Sequence, residues 1–393
     1  MALSGKFSPS PVLRAALVAG EASGDLLAGL LLDALRKNWH GLQSFGIGGP
    51  GMIERGFTAW WGHDKLSVHG FGMDVLLRYR EIVGIRRALR TRLLRERPEV
   101  FIGVDAPDFN LSLEEDLKRS GIRTVHFVCP SVWAWRAHRL EKIRRCADHV
   151  LCLFPFEPDL LADKGIAATY VGHPLAQVIS PKTNRAAARE RLGLAQDRPV
   201  VALLPGSRHS EIRHLALRFV QAAAMARQEY PQLQFVLPAV PALMGEIKAV
   251  IAQTSMAAHI QVFPGRSHDV LEACDVTLIA SGTATLEAAL FRKPMVIAYR
   301  MSPLSWALVN RQRLQPWVGL PNILARSFVV PELLQGQATP AAMAQAVLAW
   351  LESIERGDAR VAQLEQVFAS MHEQLRCDTG ALAARAVANV LRT

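Results

Sequence analysis

Short apolar runs that alternate with helix-like segments constrain the fold of this chain most strongly. Runs such as Val100–Val104 and Val200–Leu204 contain no charged side chain. Uninterrupted apolar runs of this length are typical of strands that are covered on both faces, as in parallel sheets. The predicted strands are Val12–Ala19, Gln43–Ile47, Val100–Val104, Thr124–Val128, His149–Leu153, Val200–Leu204, Gln234–Leu237, Gln261–Phe263, Val276–Ile279 and Met295–Ala298.

Helical patterns lie between these strands, for example at Leu26–Arg36, Ile212–Gln228 and Leu286–Phe291. This β-α alternation predicts doubly wound parallel sheets. The pattern restarts after a polar stretch at 180–185, and a chain of 393 residues is long enough for two domains. We therefore predict an α/β protein with two Rossmann-like doubly wound domains that face each other across a cleft.

The domain boundary is expected near the polar stretch. Residues 1–175 would form the first domain, joined by C-terminal helices at 366–393, and residues 176–365 would form the second. In sheets of this kind ligands bind outside the carboxyl ends of the strands. The loops that follow the predicted strands are therefore the places to look for functional residues.

Two loops in the second half are rich in small residues, Pro205–Arg208 and Ser281–Glu287. Small residues let phosphate groups approach the backbone, and the helix that follows offers free N–H groups to negative charge. Arg208 adds a permanent guanidinium, and Glu287 could hold ribose hydroxyls. We predict a nucleoside diphosphate site built from Gly206, Ser207, Arg208, Gly282, Thr283 and Glu287, with Asn322 as a further contributor.

Each of these assignments has a plainer alternative. Arg208 could be an ordinary surface arginine. Glu287 could simply be an acid near a helix N-terminus that interacts with the helix dipole. The Asn322 signal rests only on a loop that is rich in proline and glycine.

Asp105 directly follows the predicted strand Val100–Val104. Catalytic groups collect at such strand ends, so Asp105 is a candidate general base that would accept a proton from a sugar hydroxyl. The alternative is a residue that only forms the turn. The stretch Gly20–Asp25 follows the first predicted strand, and its candidates Glu21, Ser23 and Asp25 either line the cleft or make a tight turn in which Ser23 or Asp25 caps the next helix.

Two tryptophans, Trp133 and Trp135, are followed by Arg136 and Arg139. Aromatic faces beside arginine suit sugar rings and phosphate. Ordinary packing explains the same pattern equally well, since tryptophan is often mostly buried.

The segment Val68–Arg97 begins with apolar residues and continues with many arginines. One interpretation is a core-facing helix with a solvated basic side. The other is a membrane-contacting surface, in which apolar side chains enter the lipid and arginines meet lipid phosphates. The residues that would make this contact are Val68, Phe71, Leu76, Leu77, Arg86 and Arg90.

Composition narrows the classes of partner without choosing among them. The net charge of +10 favours anionic partners. The five cysteines form no C-x-x-C pair, which indicates buried thiols in a reducing compartment. No long uncharged apolar run is present, so a cytoplasmic protein without a spanning helix is expected. No cluster has metal-ligand spacing, and we expect no essential metal and no cofactor.

Taken in order, seven short motifs resemble those of the lipid-A-disaccharide synthase family. The resemblance extends along essentially the whole chain, and the ordered set is more specific than any one motif. The motifs are Gly20–Asp25, Gly103–Asn110, Pro130–Trp135, Gly172–Pro174, Pro205–Arg208, Gly282–Glu287 and Gly319–Asn322.

The resemblance implies an inverting glycosyltransferase of the GT-B type. Its donor would be UDP-2,3-diacylglucosamine and its acceptor 2,3-diacylglucosamine 1-phosphate, joined through a β-1,6 bond with release of UDP. The enzyme would be peripheral on the anionic inner face of the cytoplasmic membrane of a Gram-negative bacterium, and a homodimer is compatible with it. The N-terminal domain would then hold the acceptor and the second domain the UDP-sugar.

Two alternatives remain open at this point. The chain could be another UDP-sugar enzyme of the same fold, such as a UDP-N-acetylglucosamine 2-epimerase or a transferase with a different lipid acceptor. It could also be a basic nucleic-acid-binding protein, although it has no recognised motif for that role and we predict no nucleic-acid partner.

Overall fold

The computed structural model describes residues 12–66, 73–134 and 139–392, with side chains from residue 80 onward in the helix that begins at Met73. The chain divides into two compact units, one formed by Met1–Pro174 with Leu375–Thr393 and the other by Leu175–Gln374. Each unit contains one sheet covered by helices on both faces.

The sheet of the first unit has seven parallel strands within the described residues, in the order β3-β2-β1-β4-β5-β6-β7. The strands are β1 (Arg14–Ala19), β2 (Gln43–Gly48), β3 (Thr58–Gly62), β4 (Val100–Val104), β5 (Arg123–Phe127), β6 (His149–Cys152) and β7 (Ala168–Tyr170). The helices are α1 (Ala22–Asn38), α2 (Pro50–Glu54), α3 (Met73–Glu96), α4 (Pro107–Arg119), α5 (Arg139–Cys146) and α6 (Glu157–Ala162), with a 3-10 turn at His63–Lys65.

The first strand shows why this sheet is buried on both sides. Leu17 belongs to the apolar cluster that includes helix α1, whereas Val18 belongs to the cluster that includes helices α3 and α4. Consecutive residues of a strand point to opposite faces. Both faces of β1 are therefore covered, as its uninterrupted apolar sequence predicts.

The second unit repeats this architecture with six parallel strands in the order β10-β9-β8-β11-β12-β13, counted over its described residues. The strands are β8 (Val200–Leu204), β9 (Gln234–Ala239), β10 (Ile260–Pro264), β11 (Val276–Ala280), β12 (Met295–Tyr299) and β13 (Glu332–Leu334). The helices are α7 (Leu175–Val178), α8 (Arg185–Leu192), α9 (His209–Glu229), α10 (Met244–Ala252), α11 (Ser267–Ala273), α12 (Thr283–Leu290), α13 (Pro303–Gln312), α14 (Leu320–Ala325), α15 (Pro340–Glu355) and α16 (Ala359–Leu375), with 3-10 turns at Pro241–Leu243 and Gln335–Gln337.

The last helix, α17 (Thr379–Arg392), belongs to the first unit and packs against α1. The two helices approach closely at Gly380, where a Cβ atom would contact the carbonyl oxygen of Leu30. Just before this helix, the N–H of His173 donates to the carbonyl oxygen of Leu375 at 2.9 Å. The end of the chain is thus built into the sheet-and-helix core of the first unit.

The predicted fold class is confirmed for each unit, and each of the ten predicted strands is present within about two residues of its predicted ends. Three strands were missed, β3, β7 and β13. They lie at sheet edges and are half-exposed, so they lack the continuous apolar run that marks a central strand. Helices α1, α9 and α12 also begin three or four residues earlier than predicted.

Helix α3 clarifies part of the predicted membrane segment. Leu89 and Leu93 are fully buried, and Ile82 and Ile85 pack against the same cluster, so this face belongs to the core. Arg90 is exposed but forms an ion pair with Asp116 at 2.8 Å. Arg86 is half-buried. Residues Val68 and Phe71 and the side chains of Leu76 and Leu77 lie outside the described residues.

No helix in the described part of the chain is long and apolar enough to cross a membrane. All five cysteines carry free thiols; four are buried and Cys377 is half-buried.

Candidate functional site

The second unit contains a cavity of about 400 Å³ at the carboxyl ends of strands β8 and β11. These two strands are hydrogen-bonded neighbours at the point where the strand order of the sheet reverses. Ligands bind at such switch points in open α/β sheets. The cavity brings together Gly206, Ser207, Arg208, Gly282, Thr283 and Glu287, which are six of the seven residues predicted to bind a nucleoside diphosphate.

One side of the cavity is the N-terminus of helix α12. Gly282 precedes the helix with a φ of 152°, and Thr283 and Ala284 are its first two residues. Within the described residues, the N–H groups of Thr283 and Ala284 have no acceptor. Free N–H groups and the positive end of the helix dipole make this corner suitable for a phosphate.

The other side of the cavity is the loop Pro205–Arg208, which is closed by a carboxylate of the protein itself. The carboxylate of Glu211, in the first turn of α9, accepts hydrogen bonds from the N–H groups of Ser207 at 2.8 Å and Arg208 at 3.3 Å. A side chain at Gly206 would overlap Glu211, and its φ of 131° also favours glycine. The N–H groups of Ser207 and Arg208 are therefore already used, contrary to the prediction that the Gly206–Ser207 loop presents free N–H groups to a phosphate.

The guanidinium of Arg208 remains available at the mouth of the cavity. Its side chain is 77% exposed and lies 3.5 Å from Glu211. An exposed guanidinium held beside a cavity can form two parallel hydrogen bonds to phosphate oxygens. The contact of Arg208 to a diphosphate stays a prediction.

Glu287 lines the same cavity from helix α12. Its Oε2 atom lies 3.6 Å from Nε2 of His268, which is an ion-pair distance. The pKa of His268 is raised, chiefly by its interaction with Glu287 and against the opposing effect of burial. The ring of His268 also packs edge-on against Phe291 at 5.6 Å. His268 thus lies close enough to Glu287 to interact with one of its carboxylate oxygens.

Asn322 does not join the cavity. It is fully buried; its Nδ2 group donates to the carbonyl oxygen of Val330 at 2.9 Å and to Glu332 at 2.8 Å. Its Oδ1 atom accepts from the N–H groups of Val329 and Val330. These hydrogen bonds use both the donor and the acceptor of the amide and hold the loop beside β13, which argues against the predicted contact to a phosphate.

Asp105 occupies a strained turn in the first unit. Asp105 and Ala106 both adopt positive φ, 51° and 43°, immediately after β4 and before α4. Such a conformation is uncommon for residues with a side chain. Asn110 stabilises the turn, because its Nδ2 group donates to the carbonyl oxygen of Asp105 at 2.8 Å. The half-buried Asp105 carboxylate accepts no hydrogen bond within the described residues.

A buried ion pair lies beneath this turn. Nδ1 of His126, on β5, is 2.7 Å from Oε1 of Glu114, on α4, and both side chains are fully buried. Gly103 makes room for the pair, since a Cβ atom there would overlap Glu114. Burial lowers the pKa of His126, but the charge and hydrogen bond of Glu114, with a contribution from Asp105, raise it above its ordinary value.

The Gly20–Asp25 stretch neighbours the Asp105 turn, because a Cβ atom on Gly20 would lie 3.2 Å from that of Ala106. Glu21 and Ser23 are exposed. Asp25 is buried, and its carboxylate accepts hydrogen bonds from three N–H groups, those of Gly49, Gly51 and Met52. Asp25 therefore caps α2 and not, as predicted, its own helix. No side chain caps α1 at its Glu21 end.

Trp133 is packed in the interior of the first unit, as the second interpretation of this motif predicts. It is buried, donates from Nε1 to Glu157 at 2.9 Å, and meets the rings of Phe154 and Phe156 edge-on. Burial raises the pKa of Glu157 to about 7, although the hydrogen bonds it accepts oppose that shift.

The other residues of this motif do not form a described site. Trp135 and Arg136 lie outside the described residues, and Arg139 is ion-paired with Asp108 at 2.7 Å.

Sequence reasoning missed Glu211, which lines the cavity, and His268, which does not line it but lies at ion-pair distance from Glu287. A signal for Glu211 was present, since it stands three residues after the N-cap Arg208, where a capping-box glutamate is expected. No sequence signal marked His268, because it reaches Glu287 only through the packing of α11 beside α12.

Comparison with known proteins adds independent information. The family described as "Lipid-A-disaccharide synthetase" matches residues 15–387. A lipid-A-disaccharide synthase from Albidiferax ferrireducens is 64% identical over 380 residues, which cover 97% of this chain and 98% of that protein. One from Verminephrobacter eiseniae is 59% identical over 379 residues, covering 96% and 97%.

Solved structures with the same fold are much more distant in sequence. A UDP-GlcNAc 2-epimerase from Neisseria meningitidis, bound to UDP-GlcNAc, has a TM-score of 0.62 and 10% identity, covering 97% of this chain and all of that one. At this identity the likeness shows the fold alone.

Proposed function

The chain belongs to the lipid-A-disaccharide synthase family of glycosyltransferases, and from that premise we propose that it joins UDP-2,3-diacylglucosamine to 2,3-diacylglucosamine 1-phosphate. The product would be the β-1,6-linked disaccharide 1-phosphate, with UDP released. Family membership favours this reaction over the epimerase and nucleic-acid-binding alternatives. The observation that carries the proposal is the cavity at β8 and β11. It is lined by the exposed Arg208, the N-terminus of helix α12 and the carboxylate of Glu287.

The donor's diphosphate would lie between Arg208 and the first turn of α12. The guanidinium supplies a fixed positive charge, and the N–H groups of Thr283 and Ala284 supply directed hydrogen bonds. Glu287 would accept hydrogen bonds from the ribose hydroxyls, since its carboxylate lines the cavity. Gly206 and Ser207 would shape the wall and position Arg208 without donating hydrogen bonds from the Ser207 amide.

Asp105 would act as the general base. The acceptor's 6-hydroxyl must lose a proton as it attacks the anomeric carbon. Since no described group donates a hydrogen bond to the Asp105 carboxylate, that carboxylate is available to accept the proton. The bond to the UDP oxygen breaks as the new C–O bond forms on the opposite face, which inverts an α-linked donor into a β-linked product.

The leaving group gathers negative charge on the β-phosphate as that bond breaks. The N–H groups at the α12 N-terminus are held by the helix before the reaction, so they can stabilise this charge without reorganising, and Arg208 adds a permanent positive charge. The charge balance needs no resident metal, and the expectation of a metal-free reaction stays a prediction.

On the acceptor side we propose roles only for exposed groups. Glu21 and Ser23 are exposed and follow Gly20, which contacts the Asp105 turn, so their side chains could bind hydroxyl groups of the acceptor sugar. The buried, fully used carboxylate of Asp25 would act indirectly by holding α2. Peripheral attachment to an anionic membrane surface, with contacts from Val68, Phe71, Leu76, Leu77, Arg86 and Arg90, and a homodimer remain part of this proposal.

The test is product analysis by mass spectrometry after incubation with both diacylated substrates, paired with calorimetric titration of UDP. Arg208→Ala should weaken UDP binding and slow turnover together. The control is Arg356→Gln, which alters a 70% exposed arginine in the connection between α15 and α16. It should change neither UDP binding nor turnover. Formation of no disaccharide by a protein that binds UDP would reject the acceptor assignment, and failure to bind UDP would reject the nucleotide site.

A further inference from the structure

The second unit exposes large apolar side chains within and after helix α13. Helix α13 buries none of its residues. Leu304 is 86% exposed and Leu308 59%, and beyond the helix Leu314 is 56% and Phe328 62% exposed. Isolated exposed leucines need no explanation, but this degree of exposure in one short region does.

These residues form a connected region of the chain. Leu304, Leu308 and Arg311 are spaced i, i+4 and i+7, so they share one face of α13. Phe328 packs against the segment that follows α13, because the centroids of its ring and that of Trp317 lie 6.2 Å apart. We call Leu304, Leu308, Leu314 and Phe328 the α13 patch.

The stretch of chain that carries the patch is basic in sequence, although Glu332 just beyond it accepts a hydrogen bond from the N–H of Val318. From residue 288 to residue 331 the chain contains no aspartate or glutamate and six basic residues. Lys293 is buried against carbonyl oxygens, but Arg311 and Arg326 are exposed and form no ion pair within the described residues. Arg313 lies over the ring of Trp306 at 5.9 Å. The α13 patch is therefore bordered by two arginines without an ion pair among the described residues, Arg311 and Arg326, whereas the charge of Arg313 acts on Glu332.

The patch also adjoins the nucleotide cavity. Ser281 lines that cavity, and its Oγ atom donates to the carbonyl oxygen of Val318 at 2.9 Å. Val318 ends the segment that runs from α13 past Leu314. A ligand at this surface would thus lie at the same carboxyl edge of the sheet as the cavity.

We propose that the α13 patch is a surface that docks on an anionic phospholipid bilayer. Exposed leucine and phenylalanine side chains can enter the acyl boundary while neighbouring arginines meet lipid phosphates. This inference deepens the peripheral attachment in the proposed function, but it rests on a different unit and on different residues from the segment at 68–90.

Other occupants fit these observations less well. A second copy of the chain in a two-fold interface would place unneutralised arginines of both copies together. A nucleic acid would use the arginines and could stack on Phe328, but it would leave Leu304, Leu308 and Leu314 exposed to water. A bilayer with anionic headgroups satisfies the apolar and the basic parts together.

The experiment is flotation of the full chain with vesicles of phosphatidylethanolamine and phosphatidylglycerol, compared with phosphatidylcholine alone. The triple variant Leu304→Ser, Leu308→Ser, Phe328→Ser should lower the partition coefficient at least ~tenfold. The matched control Val178→Ser, Leu217→Ser, Met225→Ser alters exposed apolar residues elsewhere in the same unit and should bind as the unaltered protein does.

Charge is tested separately. Arg311→Gln with Arg326→Gln should reduce binding to the phosphatidylglycerol vesicles roughly tenfold, and binding should depend less on salt. Arg356→Gln with Arg119→Gln, two exposed arginines elsewhere, should leave it unchanged.

Three outcomes would overturn the inference. The triple variant could bind vesicles as the control does, the arginine pair could have no effect, or the unaltered protein could form dimers in the absence of lipid that the triple variant dissociates. UDP titration of every protein reports whether it is folded. Should the triple variant lose UDP binding, Leu304→Ser alone replaces it, since that side chain is almost wholly in solvent. If the unaltered protein does not bind UDP, the proposed function is refuted instead.

Discussion

Glu211 closes the Pro205–Arg208 loop by accepting a hydrogen bond from the N–H of Ser207 at 2.8 Å. A carboxylate at this position takes the place that an external anion would take at the N-terminus of α9. The two loops of the cavity therefore differ in function. The α9 loop is satisfied internally and presents Arg208, whereas the α12 N-terminus is open.

This difference predicts opposite effects for two substitutions at Glu211. Glu211→Ala leaves two N–H groups without an acceptor and frees the loop, so UDP affinity should fall at least about fivefold, the equivalent of one lost buried hydrogen bond. Glu211→Gln keeps an acceptor oxygen and removes a negative charge beside the diphosphate, so UDP should bind as well as before or more tightly. Calorimetric titration measures both.

The control for this pair is Glu229→Ala, at the other end of α9, where the side chain is exposed. It should leave UDP binding unchanged. Normal UDP affinity in Glu211→Ala would mean that the loop does not position Arg208.

Asp105 offers a substitution that separates chemistry from backbone strain. Asparagine tolerates the left-handed conformation that Asp105 adopts, with φ of 51°, but cannot accept the proton. Asp105→Asn should therefore lower turnover by at least ~100-fold with little change in UDP affinity or thermal stability. The measurement is steady-state turnover beside a UDP titration.

The neighbouring Ala106 supplies the matched control. Ala106→Gly relaxes a second positive φ of 43° in the same turn and removes no carboxylate, so activity should be retained and stability should rise slightly. Turnover by Asp105→Asn close to that of the unaltered protein would make Asp105 a turn residue only.

Much of this arrangement could be predicted because parallel strands place their following loops together. The apolar runs at β8 and β11 located two loops, and the strand order brought Arg208, Gly282 and Glu287 to one cavity. Local patterns could not reveal which polar groups were already used. Asp25 accepts hydrogen bonds from N–H groups of a segment about 24 residues further along the chain, and Asn322 from those of the loop that follows its own helix.

Asn322 illustrates the consequence in a measurable way. Asn322→Ala removes the acceptor of Val329 and Val330 and a donor to Glu332 in a fully buried setting. The free energy of unfolding should fall by roughly 2–4 kcal/mol, while UDP affinity at a temperature where the protein stays folded should not change. Denaturant unfolding and calorimetry give the two values.

Asn310→Ala, at an exposed position of α13, is the matched asparagine control and should affect neither quantity. The opposite pattern in Asn322→Ala, normal stability with weak UDP binding, would restore the phosphate role that the structure argues against.

Burial of His173 should make stability depend on pH. The ring is buried and stacked on Phe154 at 5.7 Å, and burial lowers its pKa to about 4. The unfolded chain, with a pKa near 6.5, binds the proton more tightly, so the stability contributed by neutral His173 is present above about pH 6.5 and is lost as the pH falls toward 4. Between about pH 7 and about pH 4.5 the loss should be about 2 kcal/mol.

His173→Gln removes this titration, so its free energy of unfolding should fall less than that of the unaltered protein over the same interval. Denaturant unfolding at the two pH values measures the difference, and His40→Gln, at an exposed position, should behave as the unaltered protein does. Because His173 N–H also binds the carbonyl oxygen of Leu375, protonation of the ring would loosen the place where the end of the chain returns to the first unit. An equal fall in His173→Gln and in the unaltered protein would mean that His173 keeps an ordinary pKa in the folded state.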